Sequence, residues 1–90
     1  KGQGRRKQAL AGWREWHALD ADDPTPCVEL AKYYEWAAAD LAAAHHWTLE
    51  GLLSLSRWPA GWRRDQARQS LEHRLKRLER KLEAQAGLVR

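Results

Sequence analysis

The chain has no Phe, no Met and no Ile, and Val occurs only at positions 28 and 89. Without the β-branched aliphatic residues that fit a pleated surface, a sheet has little to be built from. One Cys, Cys27, cannot close an internal disulfide, which fits a reducing compartment. No apolar run approaches the roughly 20 residues of a membrane span, and no signal peptide is visible. The expectation is a cytoplasmic chain with no membrane contact. The missing Met, together with the Lys1-Gly2-Gln3-Gly4 start, reads either as a processed start or as a piece of a longer protein, with residues 1–5 the end of a linker.

What remains is rich in Ala and Leu, both strong helix formers, with six Trp and two Tyr. Ninety residues make one domain that buries only about 60–65% of the surface its unfolded chain exposes. The net charge of +4 is uneven: +3 over residues 1–20, −4 over 21–61 and +5 over 62–90. An acidic middle between basic flanks suits contact with nucleic acid or an acidic partner, and equally suits contact between the flanks and the middle.

Four helices are predicted. A lead-in helix over 6–19 places Ala9, Leu10, Trp13, Trp16 and His17 on one face. Asp20, Asp22, Asp23 and Pro24 end it. Thr25 is the expected cap of the next helix, with Pro26 in its first turn and Cys27, Leu30, Ala31, Tyr34 and Ala38 sharing its inward face. Asp40 is the expected N-cap of a third helix, Leu41 to about Ser56, whose inward stripe is Leu41, Ala44, Thr48, Gly51 or Leu52, and Leu55, widened by Leu49 and Leu53. Gly51 costs up to ~1 kcal/mol relative to Ala there, so a close approach is expected at it. A basic capping helix over 64–85, stopped by Gly87, carries Leu71, Leu75, Leu78 and Leu82 and an expected Glu72–Lys76 pair.

Residues 26–56 follow the helix-pair pattern of a tetratricopeptide repeat. Cys27-x2-Leu30-Ala31-x2-Tyr34 matches its first half, with Cys for Trp and Ala for Gly. Ala44 and Gly51 are the small residues of the second helix. Thr48 stands where an aromatic is usual, the Trp36–Asp40 turn is one residue longer, and the closing Pro is displaced to Pro59. A generic helical hairpin would need the same residues. The fold expected is all-α, a four-helix array with one tetratricopeptide-like pair between flanking helices.

A wider resemblance runs through Gly4-Arg5-Arg6, Trp13, the LAKYYE stretch (30–35), Asp40, Ala44, Trp47-Thr48, Leu52 and the LEHRLKRLERKL stretch (71–82). Together these resemble the C-terminal region of the bacterial YprB-type ribonuclease-H-like exonucleases, which carry a tetratricopeptide-like tail. Trp36 and Gly51 depart from that pattern. The resemblance implies an accessory module on a nucleic-acid-processing enzyme, acting in DNA repair beside a helicase. The nuclease's metal-binding acids lie in an upstream domain and match nothing here, so this chain itself is expected not to be an enzyme.

Other constellations are weaker. Adjacent His45 and His46 diverge on a helix, and with one Cys they do not make a zinc site, so no metal or cofactor is expected. Asp20, Asp22 and Asp23 lack the Gly and terminal Glu of a calcium loop. Cys27 sits at a packing position. Trp36 falls off the inward stripe, so Val28, Lys32, Glu35 and Trp36 are expected to face an interaction groove for a protein partner or an upstream domain. Arg5, Arg6, Lys7, Arg64, Arg68, Arg74, Arg77 and Lys81 are the candidate phosphate contacts, with a solvated basic face as the plain alternative. The function expected is a non-catalytic protein-interaction or scaffolding tail; the alternatives are a nucleic-acid-binding adjunct or an oligomerisation module through the leucine stripe.

Overall fold

A computed structural model describes the backbone of residues 2–89 and the side chains of 7–87. Among the described residues every regular element is helical: α1 (Gly2–Leu19), α2 (Thr25–Lys32), a π-helical turn (Tyr33–Ala37) continuing α2, α3 (Leu41–Ser56) and α4 (Trp62–Val89). The all-α, four-helix expectation holds. Its boundaries shift. Residues 2–5, expected as linker, extend α1, and α4 starts at Trp62 and runs through Gly87 without stopping.

Each helix end has a local cause. The acidic turn stops α1, with the Asp20 and Asp23 amides bonding to the carbonyls of Trp16 and Asp20 at 2.8 and 3.2 Å. Thr25 does not cap α2. Pro24 is the N-cap residue and has no capping side chain, while the Asp23 carboxylate accepts the Thr25 amide at 2.9 Å. Asp40 does cap α3, accepting from the Ala43 amide at 3.1 Å.

Between α2 and α3 the chain carries one more residue than the repeat pattern, and the π turn absorbs it. The Ala38 amide reaches back five residues to the Tyr33 carbonyl at 3.1 Å. The Asp40 amide bonds to the Tyr34 carbonyl at 2.7 Å, closing a widened C-terminal cap. Ala39 takes the left-handed conformation this reversal needs, with φ 53°. Insertions of this kind re-aim the side chains around them.

Consecutive helices run antiparallel, each packed on the next. α1 also touches α3, through His17 edge-on against Trp47 at 5.5 Å, and the turn after α1 does so through the Ser54 hydroxyl, which donates to the Ala21 carbonyl at 2.5 Å. α2 and α4 meet through the charged cluster described below. The array is therefore two layers, α1 with α3 and α2 with α4, in a slab of 44 × 32 × 16 Å. The third dimension suits two helices stacked 8–10 Å apart. The radius of gyration, 14.0 Å, exceeds the roughly 12 Å of a compact chain this long.

The core is thin: Cys27, Leu30, Ala31, Ala44, Leu55, Leu71 and Leu78. Thr48, where the repeat pattern usually has an aromatic, is buried as expected of the inward stripe, and its hydroxyl is satisfied by donating to the Ala44 carbonyl at 2.8 Å. Trp16, Ala38, Leu49 and Leu53, expected inward, are exposed. A 16-residue helix in a slab two layers thick has one inward stripe, and α3 fills it with Ala44, Thr48, Gly51 and Leu55. The expected Glu72–Lys76 pair is replaced by Arg68–Glu72 at 3.4 Å.

Gly51 lies where three helices converge. A Cβ there would stand 3.2 Å from Leu71 Cδ1 and 3.4 Å from Cys27 Cβ. The close approach expected of it is made to side chains of α2 and α4. Gly51→Leu should lower the unfolding free energy by about 1–3 kcal/mol, because no rotamer fits without moving a helix. Gly51→Ala should stay within about 1 kcal/mol of wild type, since the gain in helix propensity offsets pressure on the flexible end of Leu71. Urea titration of both variants measures the difference.

Candidate interaction site

The most unusual side chain is Glu35. Its carboxylate has no exposed surface, although the residue is ionisable and was expected to face outward. It lies four residues after Ala31 and eight after Cys27, both buried, so the helix already carries it toward α4. The π turn begins two residues before it.

Three cations of α4 meet it. Arg77 grips both oxygens, Nε on Oε2 and Nη2 on Oε1, each at 2.8 Å. Arg74 Nη1 donates to Oε1 at 2.6 Å and Lys81 Nζ to Oε2 at 2.9 Å. Arg74, Arg77 and Lys81 are three and four residues apart, which aligns them along one side of α4 beside the Leu71/Leu78 stripe. Burial pushes the Glu35 carboxyl up. Hydrogen bonds from Arg77 and Lys81, with their charges, outweigh it and hold the pKa at about 2. The Arg77 guanidinium is raised in turn, chiefly by its hydrogen bonds to Glu35.

Trp36, the next residue, is 64% exposed. Lys81 Nζ lies 4.1 Å and Arg77 Cζ 5.5 Å from its ring centroid. The ring thus stacks on the cations that grip Glu35, a contact worth about 0.5–1 kcal/mol at an exposed site.

α2 and α4 lie side by side in one layer, and Glu35 clamps them at one end only. Toward the other end, residues of both helices line an open groove of about 1150 Å³. Its apolar walls are Pro24, Val28, Trp58 and Ala67, with Glu29, Arg63, His73 and Lys76 among its polar lining. Trp58 is fixed there because its indole N–H donates to the Asp22 carbonyl at 2.5 Å. Of the four expected groove residues, Val28 lines this groove. Lys32 is exposed and paired with Glu29 at 3.6 Å, and Trp36 stands at the clamped end. Glu35 is corrected from an outward groove residue to the buried clamp. Sequence reasoning missed Trp58 and Ala67, whose places depend on how the α3–α4 elbow turns.

The expected phosphate-contacting face is largely engaged within the fold. Arg74, Arg77 and Lys81 hold Glu35. Arg68 pairs with Asp65 and Glu72, and Arg64 donates to the Trp58 carbonyl at 3.2 Å. Lys7 is exposed on α1, away from this face. The side chains of Arg5 and Arg6 lie outside the described residues.

Cys27 is wholly buried, with Sγ 3.4 Å from His17 Nδ1. The other nitrogen of that ring lies 3.7 Å from Glu50. Burial first, then the Glu50 charge, push the thiol up to about 11, so it is protonated at neutral pH. A thiol with this environment is a poor nucleophile. His45 faces Glu79 at 3.7 Å, while His46 is exposed. Among the described residues no group of three His, Cys, Asp or Glu is placed to hold a metal ion, and no helix is long and apolar enough to cross a membrane.

Glu35→Ala should destabilise the chain by about 3 kcal/mol, the low end for breaking a buried ion pair, because the cations can relax toward solvent. In wild type the sign is fixed by a folded pKa of about 2 against an ordinary value of 4.5. The contribution is complete above pH 4.5 and lost as pH falls toward 2, about 3 kcal/mol in all. Urea midpoints measured between neutral pH and pH 2 should show this loss in wild type and a smaller one in Glu35→Ala. Cys27 should react with a maleimide only through unfolding, slowly in buffer and rapidly in urea, as read by mass spectrometry.

Comparison of the chain with protein-family models, curated proteins and solved structures finds no match.

Proposed function

We propose that this chain is a non-catalytic protein-interaction module that receives a peptide segment of a partner in the α2/α4 groove. The observation that carries this reading is the groove itself, lined by α2 and α4 around Val28, Trp58 and Ala67, with the Glu35 clamp joining the same two helices. The accessible surface, 6368 Å², exceeds the roughly 5400 Å² of a folded monomer of 10.4 kDa, so the slab keeps surface that a compact fold would cover. An open groove with apolar walls and a polar edge offers a peptide both kinds of contact that binding sites combine.

The α2–α3 pair is read as a tetratricopeptide-like unit, with α4 in the place of the next unit's first helix. Such units stack so that first helices share one layer, and the α2/α4 layer follows that order. Attachment to a ribonuclease-H-like exonuclease rests on the LAKYYE and LEHRLKRLERKL stretches. The clamp adds a physical link between them, since it joins Glu35 of the first to Arg74, Arg77 and Lys81 of the second.

The nucleic-acid reading has less behind it, because most of its candidate cations are paired within the chain. The oligomerisation reading has less too: Leu71 and Leu78 are buried inside the fold.

Selection of displayed random peptides against the full chain tests the groove. Enriched peptides should protect the amides around Val28 and Ala67 from hydrogen exchange, and should bind Ala67→Trp, whose ring fills the groove, at least about tenfold more weakly. Enrichment that is equal on wild type and Ala67→Trp overturns the reading.

A further inference from the structure

We infer that the clamped end of the α2/α4 cleft, around Trp36, is a docking point for the carboxylates of an acidic peptide segment. The inference rests on the groove reading above and deepens it by naming the partner's chemistry.

The argument begins with charge. Arg74, Arg77 and Lys81 converge on one carboxylate, so the cluster retains two positive charges that nothing among the described side chains cancels. These cations are only partly hydrated, with side-chain exposures of 16, 29 and 35%. Cations withdrawn from water in excess of their counter-charges gain more from an incoming anion than fully solvated surface lysines do.

The donors are also free to act. Among the described residues the one buried side-chain polar atom without a partner is Arg64 Nε. The guanidinium nitrogens of Arg74 and Arg77 that Glu35 does not use are therefore not sealed from solvent. Guanidinium groups present planar, paired donors that match a carboxylate.

Trp36 supplies the apolar half of the site. It is largely exposed, and its ring stacks on the same two side chains, Arg77 and Lys81. Lys32 stands one helical turn before it, half exposed, on the approach from the groove. A peptide lying in the groove and running toward this end meets an aromatic wall and a cationic pocket in succession.

The same features select a peptide over a nucleic acid. A phosphate backbone needs cations at repeated intervals. Here the clamp cations gather at one end, and the open end is mixed in sign, with Glu29 and Glu72 beside Arg63 and Lys76. A segment with a few carboxylates at one end and apolar residues at the other suits this distribution.

The experiment uses the full chain and fluorescence anisotropy with three labelled probes of equal length: a peptide of Leu followed by Asp and Glu, its counterpart with Lys in place of the acids, and oligo-dT. The acidic peptide should bind, and bind more tightly than the other two. Its affinity should fall as salt rises. It should also fall about tenfold in Trp36→Ala and again in Lys32→Glu, both exposed positions that leave the clamp in place. Circular dichroism melts confirm that the variants stay folded. Absence of acidic-peptide binding, equal binding by wild type and both variants, or tighter binding of oligo-dT overturns the inference. If displayed peptides enrich on the groove but carry no acidic preference, this inference fails while the groove reading stands; if Ala67→Trp changes nothing either, both fail.

Discussion

Burying the Glu35 carboxylate without partners would cost several kcal/mol, a large share of the stability available to a chain this short. Four hydrogen bonds from three cations offset that cost, and in doing so fix where α2 ends relative to α4. Glu35 thus ties α2 to α4 at the end of the cleft away from Pro24 and Trp58, which line the groove.

Two backbone features accompany the cluster. The π turn widens the helix around Glu35 and absorbs the extra residue before α3, at the expense of a left-handed Ala39. Gly51 leaves room for Leu71 and Cys27 to close over α3, so side chains of α2 and α4 meet beside it. A helix interior normally disfavours glycine. Here the missing Cβ leaves space that Leu71 and Cys27 occupy, so a local penalty is exchanged for tertiary contact.

Much of this was legible in the residues. Helical periodicity located α1 to α4, Asp40 marked a cap, and the small residues Ala31, Ala44 and Gly51 marked where helices touch. Glu35 was misread because the inward face of its helix was drawn through Tyr34 and Ala38, which left Glu35 outside it. Its spacing said otherwise: Cys27, Ala31 and Glu35 follow one another at four-residue steps, and Arg74, Arg77 and Lys81 form a matching basic line beside the leucines. Opposite charges on the inward sides of two helices are a signal for a buried pair, but only once those helices are known to share a layer. Trp16, Leu49 and Leu53 were misread for the converse reason. Apolar character argues for burial only where a neighbour exists to cover it, and a slab two helices thick leaves its outer faces bare.

The balance of charge in the cluster bears on what the fold is for. If the cations served stability alone, one well-placed Arg would satisfy the carboxylate, as the bidentate Arg77 nearly does. Adding Arg74 and Lys81 introduces mutual repulsion between cations in a partly dehydrated place, which a purely structural pair would avoid. The excess is tolerable because it lies at the surface end of the cleft, where water or an external anion can share it. Glu35 therefore has two effects. It lowers the repulsion among them, and it holds three cations in place with part of their charge unspent. Fixed, partly dehydrated charge beside an exposed indole is preorganised for an acidic ligand, which would find its donors in place with little side-chain entropy left to lose.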